Sequence, residues 1–116
     1  MIAVVDDDPK VLESLAGLLE SAGHAVRTFS SAKALLDAGL SGIACLVTDI
    51  GMPVMDGFDL LDAVKKDRPD LPVFLITGHS EASGRNRASA KDIGGFFSKP
   101  VDGAALLAAI DKALRR

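Results

Sequence analysis

Residues 2–9 read Ile-Ala-Val-Val-Asp-Asp-Asp-Pro. Four apolar residues, three of them β-branched, run straight into three acids and a proline. An apolar run this short with no polar alternation reads as a strand buried on both faces. Asp8 before Pro9 is a helix-start signal, because the acid accepts from free first-turn amides and proline fixes φ where no N–H is needed. A buried strand handing over to a helix through an acidic turn is the opening half of a βαβ unit.

The rest of the chain repeats that unit. Val11, Leu15, Leu18 and Ala22 recur at helical spacing until Gly23, whose freedom at positive φ ends the helix. Further strands are expected at residues 25–29, 43–48, 72–77 and 95–97. Helices are expected from Ser30 or Ser31 through Leu35 and Leu36 to Ala38, and from about Phe58 through Leu61 and Val64 until Pro69 forbids continuation. A last one follows Asp102, uses Leu106, Leu107, Ile110 and Leu114, and closes on Arg115 and Arg116, which suit the negative end of a helix dipole. Residues 80–92 have the length of a fifth helix but little to bury, since Gly84, Arg85, Asn86, Arg87 and Ser89 fill the middle beside only Ala82, Ala88 and Ala90. That stretch is expected to be short, displaced or mobile. Five strands alternating with five helical stretches define an α/β fold, a five-stranded parallel doubly wound (βα)5 sheet covered on both faces.

At 116 residues, 48% hydrophobic and 25% charged, the chain has the balance of one domain, residues 1–116, with a real core. Cys45 is the lone cysteine, so neither a disulfide nor a zinc knuckle is available, and it reads as an inert core residue. The net charge of −3 argues against nucleic-acid binding by this domain. Apolar runs reach only seven residues, at 104–110, far short of the roughly 18 of a membrane span, and no signal peptide is visible. A cytoplasmic protein is expected. Charge is unevenly spread, with ten acids against three bases in residues 1–62 and six acids against ten bases in 63–116.

In an open parallel sheet the working groups lie just past the carboxyl ends of the strands. Those positions hold Asp6, Asp7 and Asp8 after the first strand, Asp49 after the third, Thr77 at the end of the fourth, and Ser98, Lys99 and Pro100 after the fifth. Asp8 is needed as the helix cap. Asp6, Asp7 and Asp49 converge on one mouth, where like charges repel unless a cation is present. Hard oxygen donors without His or Cys suit Mg2+. A carboxylate beside Mg2+, a lysine and a hydroxyl is equipment for accepting a phosphoryl group: Asp49 as nucleophile, metal and Lys99 neutralising the phosphoryl oxygens, Thr77 hydrogen-bonding one of them.

These residues carry a resemblance. Val4 to Asp8 at the first strand end, Asp49 followed by Met52, Pro53 and Gly57, then Ile76, Thr77 and Gly78, and Lys99 with Pro100 resemble the receiver domain of a two-component response regulator over essentially the whole chain. The run Ile76, Thr77, Gly78, His79 and residues 97–101 are similar to the nitrogen-fixation regulator subfamily. The resemblance implies the flavodoxin-like strand order 2-1-3-4-5 and phosphorylation of Asp49 by a histidine kinase or phosphotransfer protein. It implies Mg2+ held by Asp6, Asp7, Asp49 and the carbonyl of Gly51, and a switch in which Thr77 and Phe96 move together to control a partner or an effector domain. It also implies a homodimer through the fourth helix, fifth strand and last helix, a mode the weak 80–92 stretch puts in question. Phe96 and Phe97 alternate, so one is expected to point in and the other out. Gly57 is expected to permit the backbone turn into the third helix, and His79 reads as a loop histidine. Gly51 leaves little side chain to shield an acyl phosphate, so a short phosphoryl lifetime is expected.

Two other classes use similar groups. Mg2+-dependent phosphohydrolases of the haloacid dehalogenase type, which use an aspartyl phosphate, usually carry a second acid two residues after the nucleophile; this chain has Gly51 there, with no general acid available. A binding module that signals without phosphorylation would have no need of the set Asp6, Asp7, Asp49, Thr77 and Lys99.

Overall fold

The computed structural model describes residues 1–78 and 93–115. His79 and the expectation for residues 80–92 therefore lie outside the described residues. Five strands, β1 (Ile2–Val5), β2 (Val26–Phe29), β3 (Cys45–Asp49), β4 (Val73–Thr77) and β5 (Gly95–Ser98), form one sheet in the order β2-β1-β3-β4-β5. Every pairing is parallel. Four helices are described: α1 (Pro9–Ser21), α2 (Ala32–Ala38), α3 (Gly57–Asp67) and α4 (Gly103–Leu114).

Local sequence sets the helix boundaries. Asp8 caps α1, accepting from the Lys10 amide at 2.9 Å, with Pro9 in the first turn. At the other end Gly23 adopts φ +92°, its N–H reaches Glu20 O, and the His24 N–H reaches Leu19 O. This paired closure needs a residue tolerant of positive φ, and His24 sits in the turn it creates. Ser31 caps α2, and Asp102 caps α4. Asp56 and Asp59 cap α3 reciprocally, each side chain accepting the other's backbone N–H.

Alternation along the strands divides the core into two layers. Ala3, Val5, Leu46, Val73 and Leu75 pack with Ala32 and Leu35 of α2 and with Phe58, Leu60, Leu61 and Val64 of α3. Ile2, Val4, Cys45, Val47, Phe74 and Ile76 pack on the other face with Leu15 and Leu19 of α1 and Leu106 and Ile110 of α4. Burial pushes the Cys45 thiol up to about 12, in keeping with an unreactive core residue.

Three details differ from the sequence reading. The third strand begins at Cys45 rather than residue 43, because the Ile43 N–H turns back to Leu40 O at 3.1 Å. Gly57 shows no positive φ; a Cβ there would stand 2.5 Å from Asp49 O and 2.7 Å from Ile50 Cα. It is glycine because α3 starts against the end of β3. Phe96 and Phe97 do not divide into one inward and one outward ring. Both are half-buried, Phe96 against the α2/α3 layer and Phe97 against the α1/α4 layer, with its ring 6.4 Å from Phe74. A sheet covered on both faces has no outward side, and Gly94 and Gly95 make room, since a Cβ on either would press on the Phe74 or Phe97 ring.

Candidate functional site

The chain passes from β1 to β2 on one side and returns to place β3 on the other, so the ends of β1 and β3 flank the point where strand order reverses. Val5 pairs in register with Thr48. The next residues, Asp6 and Asp49, therefore emerge side by side, and both are buried, at 1% and 6% exposure. Asp6 Oδ1 accepts the Asp8 amide at 2.9 Å. Asp6 Oδ2 is buried without an aligned hydrogen bond and faces the Lys99 ammonium as an ion pair at 2.9 Å. Lys99 Nζ lies 3.5 Å from Asp49 Oδ1. The lysine thus bridges two carboxylates and is closer to Asp6 than to Asp49. Asp7 is exposed at the rim, yet one oxygen from each of Asp6, Asp7 and Asp49 lies within 4.8 Å of the others.

β4 and β5 supply the remaining wall. Thr77 is buried at the end of β4, in register with Ser98. The Lys99 N–H donates to Thr77 O at 2.7 Å, which ties the lysine's backbone to the strand carrying the threonine. Phe96 stands three residues before Lys99 on β5 and packs, half-buried, against the α2/α3 layer.

The electrostatics follow from this crowding. Burial first, and the neighbouring Asp6 carboxylate second, raise the Asp49 pKa, against opposition from Lys99 and a hydrogen bond from the Gly51 amide. Burial works against the charge of Lys99, but its contacts with Asp6 and Asp49 outweigh this and its pKa is raised. Two buried carboxylates and a rim acid around one ammonium leave negative charge in excess, and Asp6 Oδ2 lacks an aligned donor. A hard cation fits that donor set. The acidic cluster can hold a metal ion.

Gly51 is exposed in the loop between β3 and α3, and a Cβ there would come no nearer to the mouth than 3.9 Å from Asp49 Oδ2. Met52 is buried in the α2/α3 layer, which anchors the loop. Val54 adopts φ +69° with its side chain fully exposed, and the Met55 N–H reaches across it to Pro53 O at 2.8 Å. Sequence reasoning missed three features. One is the proximity of Lys99 to Asp6, which depends on how far a long side chain reaches across β1. Another is the Thr48 hydroxyl, which donates to the Asp49 carbonyl at 3.0 Å. The third is the Gly51 amide on the Asp49 carboxylate. Thr48 could have been noticed as a polar residue closing an apolar strand.

A flavodoxin-like doubly wound sheet with a carboxylate-and-lysine mouth at its switch point is the class this architecture defines. The chain matches the response regulator receiver domain family over residues 2–111. It is 40% identical over 116 residues to the transcriptional regulatory protein FixJ of Azorhizobium caulinodans, covering 99% of this chain and 55% of that protein. The receiver domain of NtrX from Brucella abortus superposes with a TM-score of 0.91 at 32% identity, covering 99% of this chain and 98% of the other. A receiver domain protein from Clostridium thermocellum gives a TM-score of 0.91 at 31% identity, covering 99% and 94%. The chain belongs to the response regulator receiver domain family. It spans about half the length of the curated relatives it matches, 51% to 57% for the FixJ and TodT proteins. Among the described residues no helix is long and apolar enough to cross a membrane.

Proposed function

We propose that residues 1–116 form a phosphoacceptor domain in which Asp49 takes a phosphoryl group from the phosphohistidine of a kinase or phosphotransfer protein. The observation that carries this reading is the Lys99 ammonium, with Nζ set 2.9 Å from Asp6 and 3.5 Å from Asp49 at the switch point of the sheet. An Asp49 carboxylate oxygen attacks phosphorus, the bond from phosphorus to the donor nitrogen breaks, and that nitrogen keeps the electron pair. The product is an aspartyl phosphate. Lys99 moves its charge toward the phosphoryl oxygens, and the Thr77 hydroxyl hydrogen-bonds one of them. Asp6, Asp7, Asp49 and the Gly51 carbonyl are the residues that would hold Mg2+, which supplies charge neutralisation at the transferring group. Burial and the Asp6 carboxylate raise the Asp49 pKa, which makes a more basic nucleophile, and the Lys99 ammonium opposes that shift.

Thr77 drawn toward the phosphoryl group vacates space beside β5, and Phe96 follows it inward as the switch. A groove of about 290 Å³ between α1 and the segment after β5, lined by Lys10, Val11, Ser14, Leu18, Lys99 and Val101 among others, gives the donor an apolar seat with a basic rim. Similarity to transcriptional regulators supports an output through an effector domain or a docked partner, with a homodimer as one route. The open flank at Gly51 supports a short phosphoryl lifetime. Replacing Gly51 with glutamine is expected to slow the decay of the phosphoryl mass, and an unchanged decay would count against that shielding role.

Incubation with acetyl phosphate tests the central reading. With Mg2+ the protein is expected to gain one phosphoryl mass; without Mg2+, or as Asp49→Asn, it is expected to gain none. Equal labelling of Asp49→Asn would overturn it.

A further inference from the structure

Thr48 is the one hydroxyl in β3, a strand buried along its whole length. Strand alternation places its side chain on the same face as Leu46, which packs with the hydrocarbon layer under α2 and α3. A buried hydroxyl is costly there unless it is bonded, and valine has nearly the same shape. The hydroxyl is bonded, donating at 3.0 Å to the backbone carbonyl of Asp49. The start of α3 packs tightly against that same carbonyl, since a Cβ on Gly57 would meet it at 2.5 Å. Beyond it the Ile50 N–H continues the ladder to Ile76 O at 2.9 Å, and the Gly57 N–H returns to Ile50 O at 3.2 Å.

The peptide that follows Asp49 is therefore held from two sides, by the Thr48 hydroxyl on its oxygen and by the ladder and α3 at Ile50. Turning it would swing the Asp49 carboxylate relative to Lys99 and carry the Gly51 amide away from that carboxylate. We propose that Thr48 is a positioning residue for phosphoryl acceptance, acting through the Asp49 carbonyl to fix the direction of attack. Thr48 touches neither donor nor phosphoryl group. The proposal rests on the reading of Asp49 as phosphoacceptor, and its effect is on orientation, to which in-line transfer is sensitive.

The test measures the rate of phosphoryl mass gain from acetyl phosphate with saturating Mg2+, alongside the thermal midpoint of each variant. Thr48→Val, which keeps the shape and removes the donor, is expected to slow incorporation roughly tenfold without lowering the midpoint. Thr48→Ser, which keeps the donor and loses a methyl, is expected to stay within about twofold of the parent although it is less stable. Thr48→Ala joins the set so that the hydroxyl can be judged even where the valine variant folds poorly: serine faster than alanine by roughly tenfold supports the role. Wild-type rates in Thr48→Val, or serine as slow as alanine, overturn it and leave Thr48 a packing residue. Asp49→Asn is run in parallel; labelling of that variant would overturn the phosphoacceptor reading itself, a different failure from an unaffected Thr48→Val.

Discussion

The body of the sheet and its carboxyl-terminal mouth are built from the same strands under opposite rules. Along β1, β3 and β4 every residue is buried, and the side chains are apolar until the last one or two positions of β3 and β4. The buried polar side chains among the described residues, Asp6, Thr48, Asp49 and Thr77, all lie at strand ends or within one residue of them. The body gains stability from each residue it buries, whereas the mouth buries two carboxylates beside one ammonium. Burial and the charge of Asp6 disfavour ionised Asp49, so stability is lost there to hold a charged site in place. Substitutions should therefore have opposite signs in the two regions.

The largest effect belongs to the body. Leu60 of α3 is completely buried in the α2/α3 layer. Leu60→Ala is expected to destabilise by roughly 2–5 kcal/mol, transfer and cavity contributions together, read as a lower urea midpoint at unchanged slope. A loss under about 1 kcal/mol would mean the layer collapses around the gap and is looser than its burial implies.

At the mouth the sign reverses. In the metal-free protein Asp49→Asn removes a buried charge and its repulsion with Asp6, and is expected to stabilise by about 1 kcal/mol, worth roughly 3–5 °C in a domain of this size. If Mg2+ binds as proposed, it is expected to raise the parent's thermal midpoint by mass action, and that rise should shrink in the same variant. Scanning calorimetry with and without Mg2+ reads both. A less stable Asp49→Asn would show that the Lys99 ion pair outweighs burial and breaks the contrast between the regions.

Both regions were legible in the sequence, unequally. The body was legible because a two-sided parallel strand leaves an uninterrupted apolar run, and those runs located five strands to within two residues at each end. The acids of the mouth were legible because a parallel sheet sends every strand end to the same edge. Distances that depend on long side chains were not. Lys99 lies nearer to Asp6 than to Asp49, and Arg68, at the end of α3, reaches the carbonyls of Leu40 and Ile43 at 3.1 and 3.2 Å to fasten the turn before β3. Nothing local in the sequence marks either contact. Gly57 was noticed for a turn it does not make, because a close backbone approach between segments eight residues apart has the same one-letter signature as positive φ.

Stability is also left unused away from the mouth, which sharpens the comparison. Gly17 lies mid-helix in α1, exposed, with nothing within 4 Å of where a Cβ would stand. Gly17→Ala is expected to add about 0.5–1 kcal/mol through helix propensity, measured as a higher urea midpoint. A destabilised variant would mean that the unfolded chain, not the helix, governs this position.

The smallest effect returns to the mouth, in the loop that follows Asp49. Val54 holds φ +69°, spanned by the 2.8 Å hydrogen bond from the Met55 N–H to Pro53 O. A three-residue turn of this hand is strained, more so for a β-branched residue. The strain brings no burial in return, because the side chain is fully exposed. Val54→Gly removes roughly 1–2 kcal/mol of left-handed penalty and adds back about 0.5–1 kcal/mol of unfolded-state entropy. A net gain of about 0.5 kcal/mol, or roughly 2 °C in thermal midpoint, is expected. If the midpoint falls by as much, the turn is not strained, and the cost of the mouth is confined to its buried charges. If it rises, the conformational cost of the site extends from the carboxylates into the loop that carries Gly51, and the boundary between the two regions lies at α3 rather than at the end of β3.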